Sequence, residues 1–313
     1  VGGDFYMSLN SISEKLTKKG LAVQLPIGLE NDFKGVIDLV EMKAYGFEGD
    51  DGSNVIEFEI PDEMIEDAKK YRSLLVEKIA ESDDVLIEKY LNGEDLTIEE
   101  IKTGLRKLTV KAEVYPVFCG ASLSNKGVQK LLDGVVEYLP SPKDVPDIVG
   151  VDVESGEQVS LKPDENGPFA ALAFKIQTDP YVGRLTYFRV YSGKVNAGSY
   201  VYNSTSGKKE RLGRILLMHA NHREEIREAL AGEIVAGVGL EASTGDTLCS
   251  EDNKVLLEKI SFSEPVIGIV IEPKTKADRD KMSQVVKKFL EEDPTLQIKT
   301  NIETGQTLLY GMG

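Results

Sequence analysis

A chain of 313 residues with 41% hydrophobic and 29% charged side chains is long enough for about two domains and rich enough in apolar residues to bury a core, which excludes disorder as its default state. No apolar run approaches the roughly 20 residues that a membrane-spanning helix needs. The formal net charge of −16 argues against a chain that coats nucleic acid through its whole surface.

The first elements with a clear pattern lie between residues 21 and 60, where short β-type runs ("AVQLPIG", "GVIDLVEMKAYGF", "NVIEFEI") alternate with turns. Glu48 to Asp67 then carries nine carboxylates and no Lys or Arg, either a solvated face or a steering surface for a basic partner. Two helices are expected next. Pro61 suits the first turn of one, with Asp62, Glu63 and Glu66 near its positive end and Ile65, Ala68, Leu75 and Ile79 on one face. Thr97 and Glu100 have the spacing of a capping box for the other, with Ile101, Leu105 and Leu108 as its buried stripe.

"EVYPVFCG" reads as a strand ended by Gly120, and Val128, Leu131, Leu132 and Val135 mark a helix after it. The small-residue turn between Cys119 and Asn125 joins the two. "LPSPKDVPD" (139–147) is a linker, because each proline fixes an extended geometry and removes a donor. Short strands with Gly, Asn and Asp turns follow, as in a small barrel or sandwich. After Phe262 a strand "PVIGIVIEP", a helix capped by Thr275 and Asp278, and two strands "TLQIKT" and "QTLLYG" give a βαββ order. Val1 is not an initiator methionine, and "YGMG" follows directly on a strand-like run, so the chain is expected to be an internal piece of a longer protein.

Most local motifs lack their chemical context. "GVGLEA" (237–242) fits a dinucleotide fingerprint, but "STGD" stands where the phosphate-binding helix is required. His219 and His222 have no thiol nearby and make an incomplete metal set. Asn125-Lys126-Gly127-Val128 resembles a guanine-reading Asn-Lys-x-Asp without its aspartate, and no Gly-x-x-x-x-Gly-Lys-Ser/Thr phosphate loop occurs. Lys208, Lys209, Arg211 and Arg214 read as a basic hairpin with no aromatic platform for base stacking. Cys119 and Cys249 are too few for a disulfide framework and are expected as reduced thiols of a cytosolic protein.

Four stretches carry a resemblance along the chain: "CGASLSNKGVQKLLDGVVEYLPSPKDVP", "DPYVGRLTYFRVYSGKV", "TGDTLC" and "EPKTKADRDKMSQVVKKFLEEDPTLQIKTNIETGQTLLYGMG". They resemble the bacterial elongation factor G family of translational GTPases, of which this would be an internal fragment. The resemblance implies a multidomain α/β plus β-barrel fold. Residues 1–147 would be the C-terminal part of a P-loop-type G domain with an inserted α+β G′ subdomain (about 18–112). Residues 148–261 would form a Greek-key β-barrel second domain, and 262–313 a partial ferredoxin-like third domain.

It also implies that Gly120, Ala121, Ser122 and Leu123 form the fifth guanine-nucleotide motif. Backbone N–H groups there would face the guanine O6, with Leu123 beside the base plane. The family's order is Gly-Ser-Ala; here it is Gly120-Ala121-Ser122, which keeps a backbone donor and moves the hydroxyl by one position. No catalytic residue and no metal ligand is expected in this chain. The implied cofactors are GTP or GDP with Mg in the full-length protein, none of them bound to this fragment. The implied partners are the ribosome's large-subunit stalk proteins through G′ and small-subunit RNA through the barrel, with no membrane. A ribosome-protection or release factor of the same architecture, or a noncatalytic ribosome-docking module, are the alternatives.

Overall fold

A computed structural model describes residues 2–49, 51–220 and 222–313. Asp50, part of the acidic run, lies outside them. The chain divides into two compact units, Val1–Val145 and Pro146–Gly313.

The first unit runs α1 (Phe5–Lys15), β1 (Gly20–Ala22), β2 (Gln24–Ile27), β3 (Gly35–Asp38), β4 (Lys43–Glu48), β5 (Asn54–Phe58), α2 (Ile65–Ala80), α3 (Asp84–Leu91), α4 (Ile98–Val110), β6 (Tyr115–Val117) and α5 (Val128–Tyr138). Strands β2 to β5 form an antiparallel sheet in sequence order, whereas β1 pairs in parallel with the distant β6, Gly20 lying opposite Tyr115. Leu25, Ile37 and Leu39 from the sheet region meet Leu75, Ile79, Ile101 and Leu105 from α2 and α4 in one fully buried core. The helices approach closely because position 104 is glycine: a Cβ there would lie 2.5 Å from Ile79 Cγ2.

The capping box at Thr97 is formed, with the hydroxyl accepting from Glu100 N–H at 3.2 Å and the Glu100 carboxylate accepting from Thr97 N–H at 2.9 Å. Pro61 does not open the α-helix itself. It precedes a 3-10 turn, Asp62–Met64, closed by Met64 N–H on the Pro61 carbonyl at 2.8 Å, and α2 starts at Ile65. Two further helices, α1 and α3, are capped by Asp4 and Asp83. On α5, Leu131, Leu132 and Val135 are exposed in this chain; the buried positions are Gly134, against the Phe118 ring, and Tyr138.

In the second unit eight strands form one antiparallel sheet. Their order is Lys208–Arg211, Tyr200–Asn203, Thr247–Cys249, Ala170–Asp179, Gly183–Ser192, Ile234–Val238, Arg214–His219 and His222–Ile226. Val201 and Ile215, from strands near opposite ends of that order, share a core with Phe188, Val190 and Val235, so the sheet curls around a single interior as a barrel does. Lys208, Lys209 and Arg211 occupy a hairpin with Tyr200–Asn203, but Arg214 is on the next strand and pairs with Val238. Gly213 donates to the Val238 carbonyl, and the chain switches there to a new strand partner. No helix follows "GVGLEA", which runs from the strand Ile234–Val238 into a loop.

The last 52 residues form Ile267–Val270, α6 (Lys276–Glu292), Gln297–Thr300 and Thr307–Gly311, with Thr307–Gly311 between the other two strands. Thr275 and Asp278 make the expected capping box. The end of α6 meets the barrel through an Arg184–Glu291 pair at 3.4 Å and through Glu292, which accepts from Thr178 N–H.

The Thr97 cap satisfies donors that the helix cannot satisfy itself. Replacing Thr97 with Ala is expected to cost about 1 kcal/mol. A lower urea midpoint at unchanged slope measures this loss, and Thr97→Ser should recover most of it.

Candidate functional site

The turn that follows β6 is closed by its own backbone. Ala121 N–H donates to the Lys126 carbonyl at 2.8 Å, and Lys126 N–H returns to the Ala121 carbonyl at 3.1 Å. Inside this bridge Ser124 N–H bonds to the Ala121 carbonyl and Asn125 N–H to that of Ser122, both at 3.0 Å, which makes a single 3-10 turn of Ser122–Ser124. Asn125 (φ 52°) and Gly127 (φ 84°) take left-handed geometry to turn the chain back into α5.

Gly120, Ala121, Ser122 and Leu123 are not alike in this turn. The N–H of Ala121 is consumed within the turn, while those of Gly120, Ser122 and Leu123 have no hydrogen-bond partner among the described residues. Ser122 and Leu123 are exposed, and the Leu123 side chain is bare to solvent. Gly120 and Ala121 line an open cavity of about 550 Å³ together with Gly3 and Asp4 before α1, Gly28 to Glu30, and Phe33. Ser122 and Leu123 do not line it. The turn therefore presents unspent donors and one apolar side chain, the equipment for an acceptor on a flat, partly apolar ligand.

The turn is anchored at its base. Cys119 N–H lies 3.4 Å from Oε1 of the buried Gln24 on β2. Lys126 Nζ donates to the Phe33 carbonyl at 3.0 Å, so its ammonium is tied to the loop between β2 and β3. Gln129 Nε2 donates to the Gly52 carbonyl at 3.1 Å. Phe33, Val36, Tyr45 and Phe47 form a small apolar cluster on which Cys119 and Ala121 pack, which gives the methyl at position 121 a contact that a hydroxyl would not improve. None of these partners is visible locally in the sequence, since they lie 77 to 95 residues from the turn.

Beside the turn, a charged network joins α4, α5 and the sheet. Glu41 accepts from Tyr45 Oη at 2.6 Å and from Lys102 Nζ at 3.2 Å, and Lys102 also reaches Glu137 at 2.8 Å. Lys130 Nζ sits 3.5 Å from the centre of the Tyr45 ring. Burial pushes the Glu41 carboxyl up, but the hydrogen bonds from Tyr45 and Lys102 outweigh it and hold the group below its usual range.

His219 and His222 face each other on neighbouring strands of the barrel, and among the described residues no three His, Cys, Asp or Glu side chains converge as a metal site. Both cysteines are free thiols. Likewise, no helix in the described chain is long and apolar enough to cross a membrane.

Family models match residues 168–251 as elongation factor G domain 2 and residues 262–313 as elongation factor G domain III. Elongation factor G of Thermotoga neapolitana is 54% identical over 314 aligned residues, covering all of this chain and 45% of that protein. The chain belongs to the elongation factor G family. The same protein from Thermotoga petrophila matches to the same extent. A crystal structure of a Thermus thermophilus protein superposes with a TM-score of 0.80 at 29% identity, over the whole of this chain and 44% of that one. The chain thus spans a little under half the length of the elongation factor G proteins it matches.

Burial pushes the Cys119 thiol up to about 12. Thiolate is the reacting species, so alkylation of Cys119 at pH 8 should run at least about a hundredfold slower in the folded chain than in urea. Mass spectrometry of iodoacetamide-treated peptides reads the ratio.

Proposed function

We propose that this chain is part of a ribosome-dependent GTPase that promotes movement of transfer RNA and messenger RNA during protein synthesis, and that Gly120 to Leu123 face the guanine base. The observation that carries the reading is the closed turn with unspent amides at Ser122 and Leu123, in a chain 54% identical to elongation factor G. An N–H aimed at O6 favours guanine, because adenine offers a donor at that position and the two would repel. The Ala121 amide is already bonded, so in this reading Ala121 contributes its packed place in the turn and its neighbours contribute the donors.

The proposed division is residues 1–147 for the end of the G domain with G′ at about 18–112, 148–261 for the barrel, and 262–313 for the start of the third domain. On this reading the ligands for the phosphates and for magnesium belong to parts of the protein beyond this chain. The chain alone then neither holds GTP tightly nor hydrolyses it, because phosphate contacts supply most of the affinity in such sites. The acidic G′ surface would meet the stalk proteins of the large subunit in the cytoplasm, and the barrel's basic hairpin would meet small-subunit RNA.

The test uses the protein at the length of its relatives. Ser122 opens a 3-10 turn, a position that tolerates proline, so Ser122→Pro deletes one donor with little change of path. GDP affinity by calorimetry is expected to fall about fivefold to tenfold, the worth of one hydrogen bond to a desolvated acceptor. Unchanged affinity overturns the guanine assignment, and absence of ribosome-stimulated GTP hydrolysis in the unsubstituted protein overturns the functional one.

A further inference from the structure

The donors at Ser122 and Leu123 are useful only if they are aimed, and the exposed limb that carries them makes no outward hydrogen bond of its own. What holds it comes from the sheet. Gly52, buried in the turn between β4 and β5, sits at φ 63° and packs so closely that a Cβ there would lie 2.5 Å from the Ser124 carbonyl oxygen. Its own carbonyl accepts from Gln129 on the first turn of α5. Thus Gly52 of the β4–β5 turn contacts the exposed limb by packing and the first turn of α5 by a hydrogen bond.

Gln129 is an expensive way to fill this place if packing were its only task. Its Oε1 is buried with no partner among the described residues, and an unpaired buried amide oxygen costs more than an apolar side chain of the same size. Among the described residues, the one hydrogen bond its side chain makes is the tie to Gly52.

We propose that Gly52 and Gln129 are positioning residues for the guanine-facing turn: the β4–β5 turn sets the direction of the Ser122 and Leu123 amides and so the preference for an oxygen at the base's position 6. This rests on the guanine-facing reading given above. The two residues act through the turn and touch no nucleotide themselves.

Two measurements test it. In the 313-residue chain, Gln129→Ala should let the amides of Ala121 and Lys126 exchange with deuterium about fivefold faster, the effect of losing one hydrogen bond, while those of α2 keep their rates. Unchanged exchange in the turn overturns the proposal. In the protein at the length of its relatives, affinities are compared for GDP and for its 6-thio analogue, in which a poor acceptor replaces O6. Gln129→Ala and Gly52→Ala should each narrow the preference for GDP by about fivefold. A parallel loss of both affinities marks a merely structural role and overturns the proposal. Ser122→Pro separates the two levels. If it too leaves GDP binding unchanged, the guanine reading falls and the positioning role with it. If it weakens GDP binding while Gln129→Ala and Gly52→Ala keep the preference intact, the positioning role alone falls.

Discussion

The site depends on how closely two glycines can approach. A Cβ on Gly120 would lie 2.8 Å from the Lys126 carbonyl oxygen, and one on Gly127 would lie 2.8 Å from the Cys119 carbonyl oxygen. Only without those atoms do the two limbs come near enough for the Ala121–Lys126 bridge to form. Once formed, the bridge decides which amides are spent and which face outward. The same closure turns Ala121 toward Phe33, Val36, Tyr45 and Phe47, so the sheet and the turn become one packed unit rather than a loop resting on a surface.

The charged network on α4 and α5 holds that unit from the other side. Lys102 is about a quarter exposed and bridges Glu41, in the turn between β3 and β4, to Glu137 near the end of α5. Glu137 raises its pKa, and burial opposes that rise without cancelling it. Glu41 is depressed, so its contribution is complete above the ordinary carboxylate range and is lost as pH falls through its lowered pKa. Because solvent reaches all three side chains, the worth of the network lies less in stability than in placing α5: Glu137 ties its last turn to α4, and Lys130, 4.0 Å from Glu41, ties its first turn to the segment between β3 and β4. That matters because α5 carries Gln129 and Lys130 in its first turn.

Elements with local signals were legible in the sequence. Thr97 with Glu100 and Thr275 with Asp278 announced two helix starts, and proline marked the break near residue 145. Helix α3 was not anticipated, being eight residues long with Leu86 as its one buried position, too little for a periodic pattern. α1 was missed despite Asp4, since none of its residues is fully buried. At the site, the glycines, the small residues and the family likeness located the turn. Which amide is already bonded, and that Gln24, Gly52 and Gln129 take part, depends on contacts between distant segments, and spacing along the chain carries no trace of these.

Charge counted along the sequence also overstates what the folded surfaces offer. In the acidic run, Glu57 is paired with Lys43 at 2.6 Å and Asp51 accepts from Ser53 N–H. On the basic hairpin, Lys209 is paired with Glu251, and Arg214, on its own strand, lies 3.8 Å from Glu225. Exposed pairs of this kind add little to stability, but each cancels a charge in the field that a distant partner feels. Lys208 and Arg211 therefore carry the positive end of that hairpin, and they flank Lys209 and Glu210 rather than standing in an unbroken basic row. Lys208 and Arg211 stand opposite Asn203 and Tyr200, so the field of the hairpin follows from that register and not from the count of basic residues.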